Sequence, residues 1–198
     1  QAIGMRLMCG NIAMSNYSGL NILKSNAKEL AKKQGIKLTE ALEAIAIDAA
    51  FSNYHELSSV AKRFPLEPRL MKAAFGETHF ENVIFSSDVY VQFEMAVDEL
   101  LSDAVASTNA DGFAVYDLEP TEVQYDEEKG LLNMTVAFSY EGEQMPDHFL
   151  SGTSFFLTAN VPLIYRDNNW LIAEEGIEII SSDSNADPDS DWYDLTDS

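Results

Sequence analysis

Carboxylates alternate with other residues near the C-terminal end of the chain, in the pattern Asp187-x-Asp189-x-Asp191. This spacing opens calcium-binding loops, because oxygens two residues apart converge on one hard cation. Such a loop also needs a glycine at its sixth position and a glutamate at its twelfth. Trp192 occupies the glycine position and no glutamate follows it. The sequence therefore predicts no calcium site in this segment.

Histidines and carboxylates elsewhere lack the spacing of a catalytic or metal site. The candidates are His79 and the adjacent pair Asp147 and His148. Metal binding and general acid–base chemistry require such groups at characteristic intervals, which these residues do not show. His55 stands in a helix-opening phrase, where a structural hydrogen bond is its expected role. We therefore predict a non-enzymatic protein with no catalytic residue, no cofactor and no metal.

Lysines recur at helical spacing near the start of the chain, as Lys24, Lys28 and Lys32, and Lys33 follows them. Residues four positions apart share one face of a helix, so these lysines predict a positive stripe. Such a stripe can neutralise phosphates of a nucleic acid and release their counterions. An ordinary solvated helix face is the other interpretation. A nucleic-acid-binding regulator that uses this stripe is therefore an alternative function.

Charge is divided unevenly along the chain, which has 198 residues and a formal net charge of −21. Ten of the 12 Lys and Arg precede position 73, together with six acidic residues. After it, 27 acidic residues stand against only Lys129 and Arg166. A negative field of this kind attracts basic molecules and speeds their association. We therefore predict that the acidic part binds a basic protein partner, as an antitoxin or a DNA-mimicking inhibitor does.

The predicted partner contacts are acidic side chains and two aromatic rings: Glu94, Asp98, Asp103, Asp189, Asp191, Trp192 and Tyr193. The first three lie on the polar face of a helix predicted over 88–106, opposite an apolar face with Phe93, Val97 and Leu100. The others belong to an Asp-rich terminal segment. Large aromatic side chains contribute nothing to solubility, so they are predicted to anchor a partner.

Two similar phrases, SNAKEL and SNYHEL, each predict the start of a helix. In both, Asn accepts hydrogen bonds from the amides of the first turn and Glu three residues later reaches back. The pairs are Asn26 with Glu29 and Asn53 with Glu56. Thr39 is expected to cap a further helix between them. With a short helix that follows, these elements predict an N-terminal module of three to four helices.

This module resembles a short helical unit of bacterial, plasmid and phage proteins, some of which carry a glyoxalase-related label. The resemblance covers residues 24–63, and its informative positions are Gly35, Ile36, Leu38, Thr39, Ala41, Leu42, Phe51, Asn53, Tyr54, His55 and Leu57. It implies a helical fold and a bacterial or mobile-element origin. It implies no glyoxalase metal site, because the chain has only three histidines. Ala50 stands where a glycine often precedes the phenylalanine.

The first two helices also resemble the ribbon-helix-helix class of DNA-binding proteins. In that class GIKLTEAL would form the turn between the helices and segment 20–23 would form the ribbon. The ribbon reads bases with alternating polar side chains, and only Asn21 and Lys24 fit that role. This resemblance implies an obligate dimer that binds DNA.

The acidic region predicts a long helix followed by an antiparallel sheet. Apolar residues alternate strictly over 132–140, which is typical of a half-buried strand. The phrase DEEKG joins this strand to one ending near Tyr125, and RDNN joins strands over 155–165 and 170–180. Pro162 indicates an edge or a bulge. The predicted class is α+β, similar in architecture to cystatin-like and NTF2-like folds. A pocket under the helix would make a small-ligand binder or an enzyme another alternative.

The predicted organisation has four parts: a flexible N-terminus over 1–21, a helical module over 22–76, an acidic α+β domain over 77–181 and an acidic disordered tail over 182–198. Cys9 is the only cysteine, so no disulfide forms within the chain. The absence of an intramolecular disulfide favours a reducing cytoplasm. The apolar runs are too short to span a membrane. We therefore expect a cytoplasmic protein.

Overall fold

A computed structural model of the chain describes residues 17–108, 110–144 and 153–185. Its helices are α1 (Gly19–Gln34), α2 (Leu38–Asp48), α3 (Tyr54–Arg63), α4 (Pro68–Phe75), a 3-10 helix (Phe80–Phe85) and α5 (Ser87–Ala106). Its strands are β1 (Ala110–Asp126), β2 (Leu131–Gln144), β3 (Ser154–Arg166), β4 (Asn169–Ile172) and β5 (Glu178–Ser184). The predicted α+β class is confirmed, and the last strand runs three residues past the predicted end of the domain.

The strands form one antiparallel sheet in the order β1-β2-β3-β4, and β5 also pairs with β3. β4 and β5 follow one another along the same edge of β3, at 163–166 and 155–160. Pro162 lies opposite the break between them, and its carbonyl accepts a hydrogen bond from Ala173 N at 2.8 Å. Proline has no N–H to continue a ladder of hydrogen bonds. The interruption expected at Pro162 is found between β4 and β5, which pair with β3 on either side of this residue.

One face of the sheet is buried against the helices, and every second residue of the central strands points into it. The buried residues of β2 and β3 are Leu132, Met134, Val136, Phe138, Tyr140, Leu157, Ala159, Val161, Leu163 and Tyr165. The alternation predicted over 132–140 is therefore confirmed. Leu20 and Leu70 of the helical module belong to the same buried cluster as Val136. A continuous hydrophobic core therefore extends from the helical module to the sheet.

Aromatic side chains of the sheet bind the C-terminal end of α4. Tyr165 OH donates to Ala74 O at 2.6 Å, and Trp170 Nε1 donates to Phe75 O at 3.1 Å. The last carbonyls of a helix have no partner within the helix, so these hydrogen bonds satisfy groups that burial would otherwise leave unpaired. The ring of Phe75 packs edge-on to that of Tyr165, with centroids 5.4 Å apart. The same rings thus hold α4 against the sheet.

α5 covers another part of the buried face of the sheet. Its buried side chains recur every four residues: Val89, Phe93, Val97 and Leu101. The ring of Phe93 lies edge-on to that of Phe138, with centroids 5.2 Å apart. Leu100, expected on the apolar face, is instead 50% exposed. It lies to one side of the buried stripe, because the stripe follows the four-residue spacing that starts at Val89.

The second of the two similar phrases starts a helix as predicted. Asn53 is the N-cap of α3, and its side chain accepts from Glu56 N at 2.9 Å. Glu56 reaches back and accepts from Ser52 N at 2.7 Å. Hydrogen bonding from Ser52 to the Glu56 carboxylate, ahead of a smaller opposing effect of burial, holds the pKa of Glu56 below its usual value. The phrase therefore works as a variant of the capping box, in which the glutamate binds the amide one residue before the N-cap.

Two other predicted helix starts are wrong. α1 begins after Ser18, whose side chain caps it, so Asn26 lies inside the helix. α2 begins after Lys37, which makes no side-chain capping bond, so Thr39 lies in the first turn. Burial of apolar residues such as Leu20 stabilises the additional turns of α1, and such packing outweighs a local capping motif. The folded part consequently starts earlier than the predicted boundary at position 21.

The residues just before α3 join α2, α3 and α4. Ala50 has a φ of 60°, a left-handed conformation that glycine adopts more easily. The guanidinium of Arg69 lies 4.2 Å from the ring centroid of the buried Phe51, and its Nη1 donates to Ala50 O at 2.9 Å. Arg69 Nε also donates to Glu67 Oε1 at 2.7 Å. Ala50 and Phe51, which directly precede the phrase SNYHEL, therefore have a structural role in packing α4.

Two substitutions test this structural role. Ala50→Gly is expected to raise the free energy of unfolding by up to about 1 kcal/mol, because glycine has no Cβ to clash at positive φ.

Asn53→Ala is expected to lower the free energy of unfolding by roughly 0.5–2 kcal/mol, because the amide of Glu56 loses its acceptor. Urea denaturation monitored by circular dichroism measures both changes. Destabilisation by Ala50→Gly, or an unchanged stability in Asn53→Ala, would contradict the structure.

Tyr165→Phe tests the contact between α4 and the sheet. Its loss of a buried hydrogen bond is expected to lower the free energy of unfolding by about 1–3 kcal/mol. Burial raises the pKa of Tyr165 from 10.0 to about 12. The folded state thus holds this proton more tightly, so its stabilising effect is present below pH 10 and is lost as pH rises toward 12. Denaturation curves across that range should fall more steeply for the wild type than for the variant, and parallel curves would refute the assignment.

Candidate interaction surface

The acidic region presents its carboxylates to solvent. Among the described residues after position 76, twenty-one Asp and Glu stand against Lys129 and Arg166, and none of the twenty-one is buried. Salt bridges in this part of the chain join Asp126 to Lys129 at 3.4 Å and Glu77 to Lys72 at 4.0 Å. The excess of negative charge in this part of the chain produces a field that extends about 10 Å into solution at 0.1 M salt.

The predicted contacts on α5 lie on two sides of the helix. Glu94 and Asp98 are one turn apart on one side. Asp103 follows Asp98 by five residues and Glu94 by nine, and these separations place it on the other side of the helix. Glu99 lies on that side too, one turn before Asp103. All four carboxylates are exposed or half-buried. The structure therefore separates Asp103 from the other two predicted contacts.

Tyrosines interact with both carboxylates of the first pair. Tyr140 OH donates to Asp98 Oδ1 at 2.6 Å. Burial, followed by this hydrogen bond and the charge of Asp98, raises the pKa of Tyr140. Burial, followed by the charge of Glu94 and a hydrogen bond to it, raises the pKa of Tyr90. Both tyrosines thus stay protonated, and the hydrogen bond from Tyr140 restricts the side-chain position of Asp98.

Apolar side chains are exposed between the two carboxylate pairs. Val91 and Met95, one turn apart, are 53% and 67% exposed. They lie opposite the buried stripe that includes Phe93. Neighbouring exposed apolar groups bordered by charged ones make this side of α5 a candidate interaction site. We call these residues together the α5 surface: Val91, Glu94, Met95, Asp98, Glu99 and Asp103.

Sequence reasoning missed Val91 and Met95 as functional candidates. Val91 follows the buried Val89 by two residues, and Met95 follows the buried Phe93 by two. This separation places both on the outer side of the helix. That phase was visible in the sequence. The apolar face predicted for this helix includes Phe93 and Val97, and both are buried, so the outward direction of Val91 and Met95 follows from the same spacing.

The four lysines of the predicted positive stripe lie together on α1: Lys24, Lys28, Lys32 and Lys33. The last three are exposed and the first is half-buried. None of the four forms a salt bridge within the described ranges. Segment 20–23, expected as a ribbon strand, is helical and largely buried. The structure thus forms the stripe and contradicts the ribbon.

Histidines do not form a catalytic constellation in the described residues. His55 is exposed in the first turn of α3 and makes no side-chain hydrogen bond to any described residue, contrary to the expected structural bond. His79 Nδ1 lies 3.1 Å from Thr78 Oγ1, beside a cavity between α4 and β1. In the same ranges, no three His, Cys, Asp or Glu side chains are grouped to hold a metal ion.

Several predicted residues lie outside the described part of the chain: Asp147, His148, Asp189, Asp191, Trp192 and Tyr193. Their expected roles stay predictions. Within the described part, no helix combines the length and the hydrophobicity needed to cross a membrane.

Comparison with protein-family models, curated protein sequences and solved structures finds no match to this chain. The resemblance of the helical module to glyoxalase-related proteins therefore stays a prediction. The likeness of the acidic domain to cystatin-like and NTF2-like folds stays one as well. Evidence for function comes from the charge and shape of the surfaces.

Weak binding to duplex DNA is expected from the charge distribution. A net charge of −21 repels phosphates, and the lysine stripe offsets this only within about 10 Å at 0.1 M salt. Fluorescence anisotropy of a labelled duplex at about 100 mM salt measures the affinity. The comparison variant combines Lys28→Glu, Lys32→Glu and Lys33→Glu. Submicromolar binding that this variant loses would assign nucleic-acid binding to the stripe and contradict the expectation.

Proposed function

We propose that this chain is a non-enzymatic interaction protein that binds a basic protein partner through the α5 surface. One observation carries the proposal: Val91 and Met95 are exposed between two pairs of carboxylates on the outer side of α5. Covering the apolar side chains removes them from water, which favours association. The carboxylates on both sides select a partner that carries positive charge.

The α5 surface fits a helical segment with an apolar stripe bordered by Lys or Arg. An amphipathic helix places its apolar residues three and four positions apart, which matches the one-turn spacing of Val91 and Met95. Basic side chains on one side of that stripe meet Glu94 and Asp98. Arginine is the better match, because its guanidinium binds a carboxylate through two hydrogen bonds.

A restricted carboxylate favours this association. Tyr140 holds Asp98, so this acidic side chain has less rotamer freedom to lose on binding. Asp98 still has an oxygen that is not used by Tyr140, since a carboxylate offers two acceptor atoms. Asp98 is therefore both oriented and able to bind a cation.

A nucleic-acid-binding protein is one class of basic partner that the charge supports. Among the described residues after position 76, twenty-one carboxylates stand against two cationic side chains, so this part of the surface has nearly one sign of charge, as a phosphate backbone has. Bound to such a partner, the chain would occupy the surface that otherwise contacts phosphates. The proposed biological role is therefore that of an antitoxin-like or DNA-mimicking inhibitor.

Nucleic-acid binding through the lysine stripe is the second candidate function. The exposure of Lys28, Lys32 and Lys33, without salt-bridge partners in the described ranges, supports it. The surrounding negative field opposes it, because the same phosphates are repelled by the acidic region. The two functions make opposite demands on the charge of the ligand.

Binding kinetics with a defined probe test the proposal. The probe is a synthetic helical peptide with a leucine stripe bordered by arginines, and a scrambled peptide of equal charge is its control. The association rate is expected to fall about tenfold or more between about 50 and 500 mM salt, while dissociation changes less. Val91→Ser combined with Met95→Ser is expected to speed dissociation about tenfold. Equal affinity for both peptides would refute recognition of the stripe.

A charge-matched pair of variants separates the α5 surface from net charge. Glu99→Gln with Asp103→Asn removes two charges from this surface. Glu119→Gln with Glu122→Gln removes two exposed charges from β1. The first variant is expected to slow association about threefold more than the second, since steering acts most strongly close to the contact. Equal slowing would show that total charge acts alone and would remove the α5 surface from the proposal.

A further inference from the structure

A cavity of about 440 Å³ opens between α4, the 3-10 helix and the last part of β1. Its volume lies in the range of small-molecule sites, about 300–1,000 Å³. The described residues that line it include none from α5. It is therefore a separate site from the α5 surface, and an inference about it stands independently of the proposed function.

The inner wall of the cavity is apolar and firmly held. Met71 is 1% exposed and Phe80 is buried. The rings of Phe80 and Tyr125 face one another with centroids 4.5 Å apart. Val123, one pleat before Tyr125 on the same strand, completes this wall. Such a wall favours a ligand with an apolar body.

The hydroxyl of Tyr125 is already engaged. It donates to Tyr17 O at 2.8 Å, and Tyr17 N donates to Glu127 O at 3.2 Å. These two contacts fix the end of β1 against the start of α1. The cavity therefore offers the ring of Tyr125, whose π face attracts cations, and not a free hydroxyl.

Negative charge borders the cavity. Glu81 is exposed and Glu127 is half-buried, and both line the opening. Burial, followed by the charge of Glu127, raises the pKa of Tyr125, while the charge of Arg166 acts in the opposite direction. None of the described lining residues is Lys or Arg. An anion is thus disfavoured, whereas a cation meets two carboxylates.

An exposed leucine lies at the opening of the cavity. Leu66 is 61% exposed and lines the cavity together with Pro65. The side chain lies in the turn between α3 and α4, where the core does not cover it. A ligand with an apolar body that extends out of the cavity would shield Leu66 from water.

We propose that this cavity binds a small organic cation with an apolar body, such as an arylalkylamine. The apolar body packs on Met71, Phe80 and Tyr125, and its ammonium group faces Glu81 and Glu127. A carboxylate of the same shape is repelled, and a neutral molecule gains only the apolar contacts. The protein thereby has a ligand site in addition to its partner-binding surface.

Nuclear magnetic resonance of the full chain, with ¹³C-labelled methionine methyl groups, tests the site. The probes are 2-phenylethylamine, 2-phenylethanol and phenylacetate. The methyl signal of Met71 is expected to shift and saturate with the amine, and the signal of Met95 on α5 is expected to stay unchanged. Met71→Leu and Met95→Leu assign the two signals. The amine is expected to bind about tenfold more tightly than phenylacetate, because two carboxylates border the site.

Variants of the opening identify the source of this preference. Glu81→Gln combined with Glu127→Gln is expected to lower the affinity for the amine to that for the alcohol. Glu119→Gln combined with Glu122→Gln, which removes two exposed charges elsewhere on β1, is expected to leave it unchanged. Leu66→Lys changes an exposed residue and is expected to weaken the amine but not phenylacetate. Val123→Trp is expected to fill the cavity and abolish binding of all three probes, with thermal unfolding as the check that it folds.

Defined results overturn the proposal. They are equal affinities for the amine and phenylacetate, equal shifts of Met71 and Met95, or an affinity for the amine that Glu81→Gln and Glu127→Gln leave intact. No shift of Met71 at about 20 mM amine also overturns it, since a ligand of this size reaches millimolar affinity in a suitable pocket. Tighter binding of Nα-acetyl-lysine amide than of 2-phenylethylamine would assign the cavity to a protein side chain and against a free amine.

Discussion

Satisfaction of the last carbonyls of α4 is the constraint on which the rest of the structure depends. The helix ends inside the molecule at Phe75, where water does not reach its orphan carbonyls. Tyr165 and Trp170 supply the donors, and their rings fill the surrounding space. The sheet must therefore lie close to the helical module, and β3 and β4 must form a hairpin that brings both donors to the same place. Helical module and sheet thus share one core instead of forming two independent units.

The two candidate sites use residues that this core leaves outside. α5 buries the stripe that includes Val89 and Phe93, so Val91 and Met95 face solvent. The aromatic cluster around Phe75 and Phe80 likewise ends at the cavity, where one side of the Phe80–Tyr125 pair is open. Carboxylates border both sites. A protein of net charge −21 can keep apolar groups exposed there, because self-repulsion between copies limits aggregation.

Local chemistry accounts for what the sequence predicted correctly. Asn53 and Glu56 form a capping box because the donors they satisfy lie within four residues. The strand over 132–140 has one buried face, so alternation alone identifies it. The same type of evidence was wrong for Asn26, which has the capping sequence but lies inside α1. Burial of apolar residues before Asn26 stabilises further turns of α1. A capping motif depends only on neighbouring residues, so it cannot predict these tertiary contacts.

By itself, the sequence determined the α+β class, most helices and strands, the lysine stripe and the solvent-facing acidity, because periodicity and charge depend on residues that are near in the chain. Tertiary structure alone decided that Leu100, expected on the apolar face of α5, is exposed, and that Tyr140 of β2 donates a hydrogen bond to Asp98. It also decided the cavity, whose walls come from α4, the 3-10 helix and β1. Such sites join residues that are distant in sequence, and only the packing of one shared core brings them together.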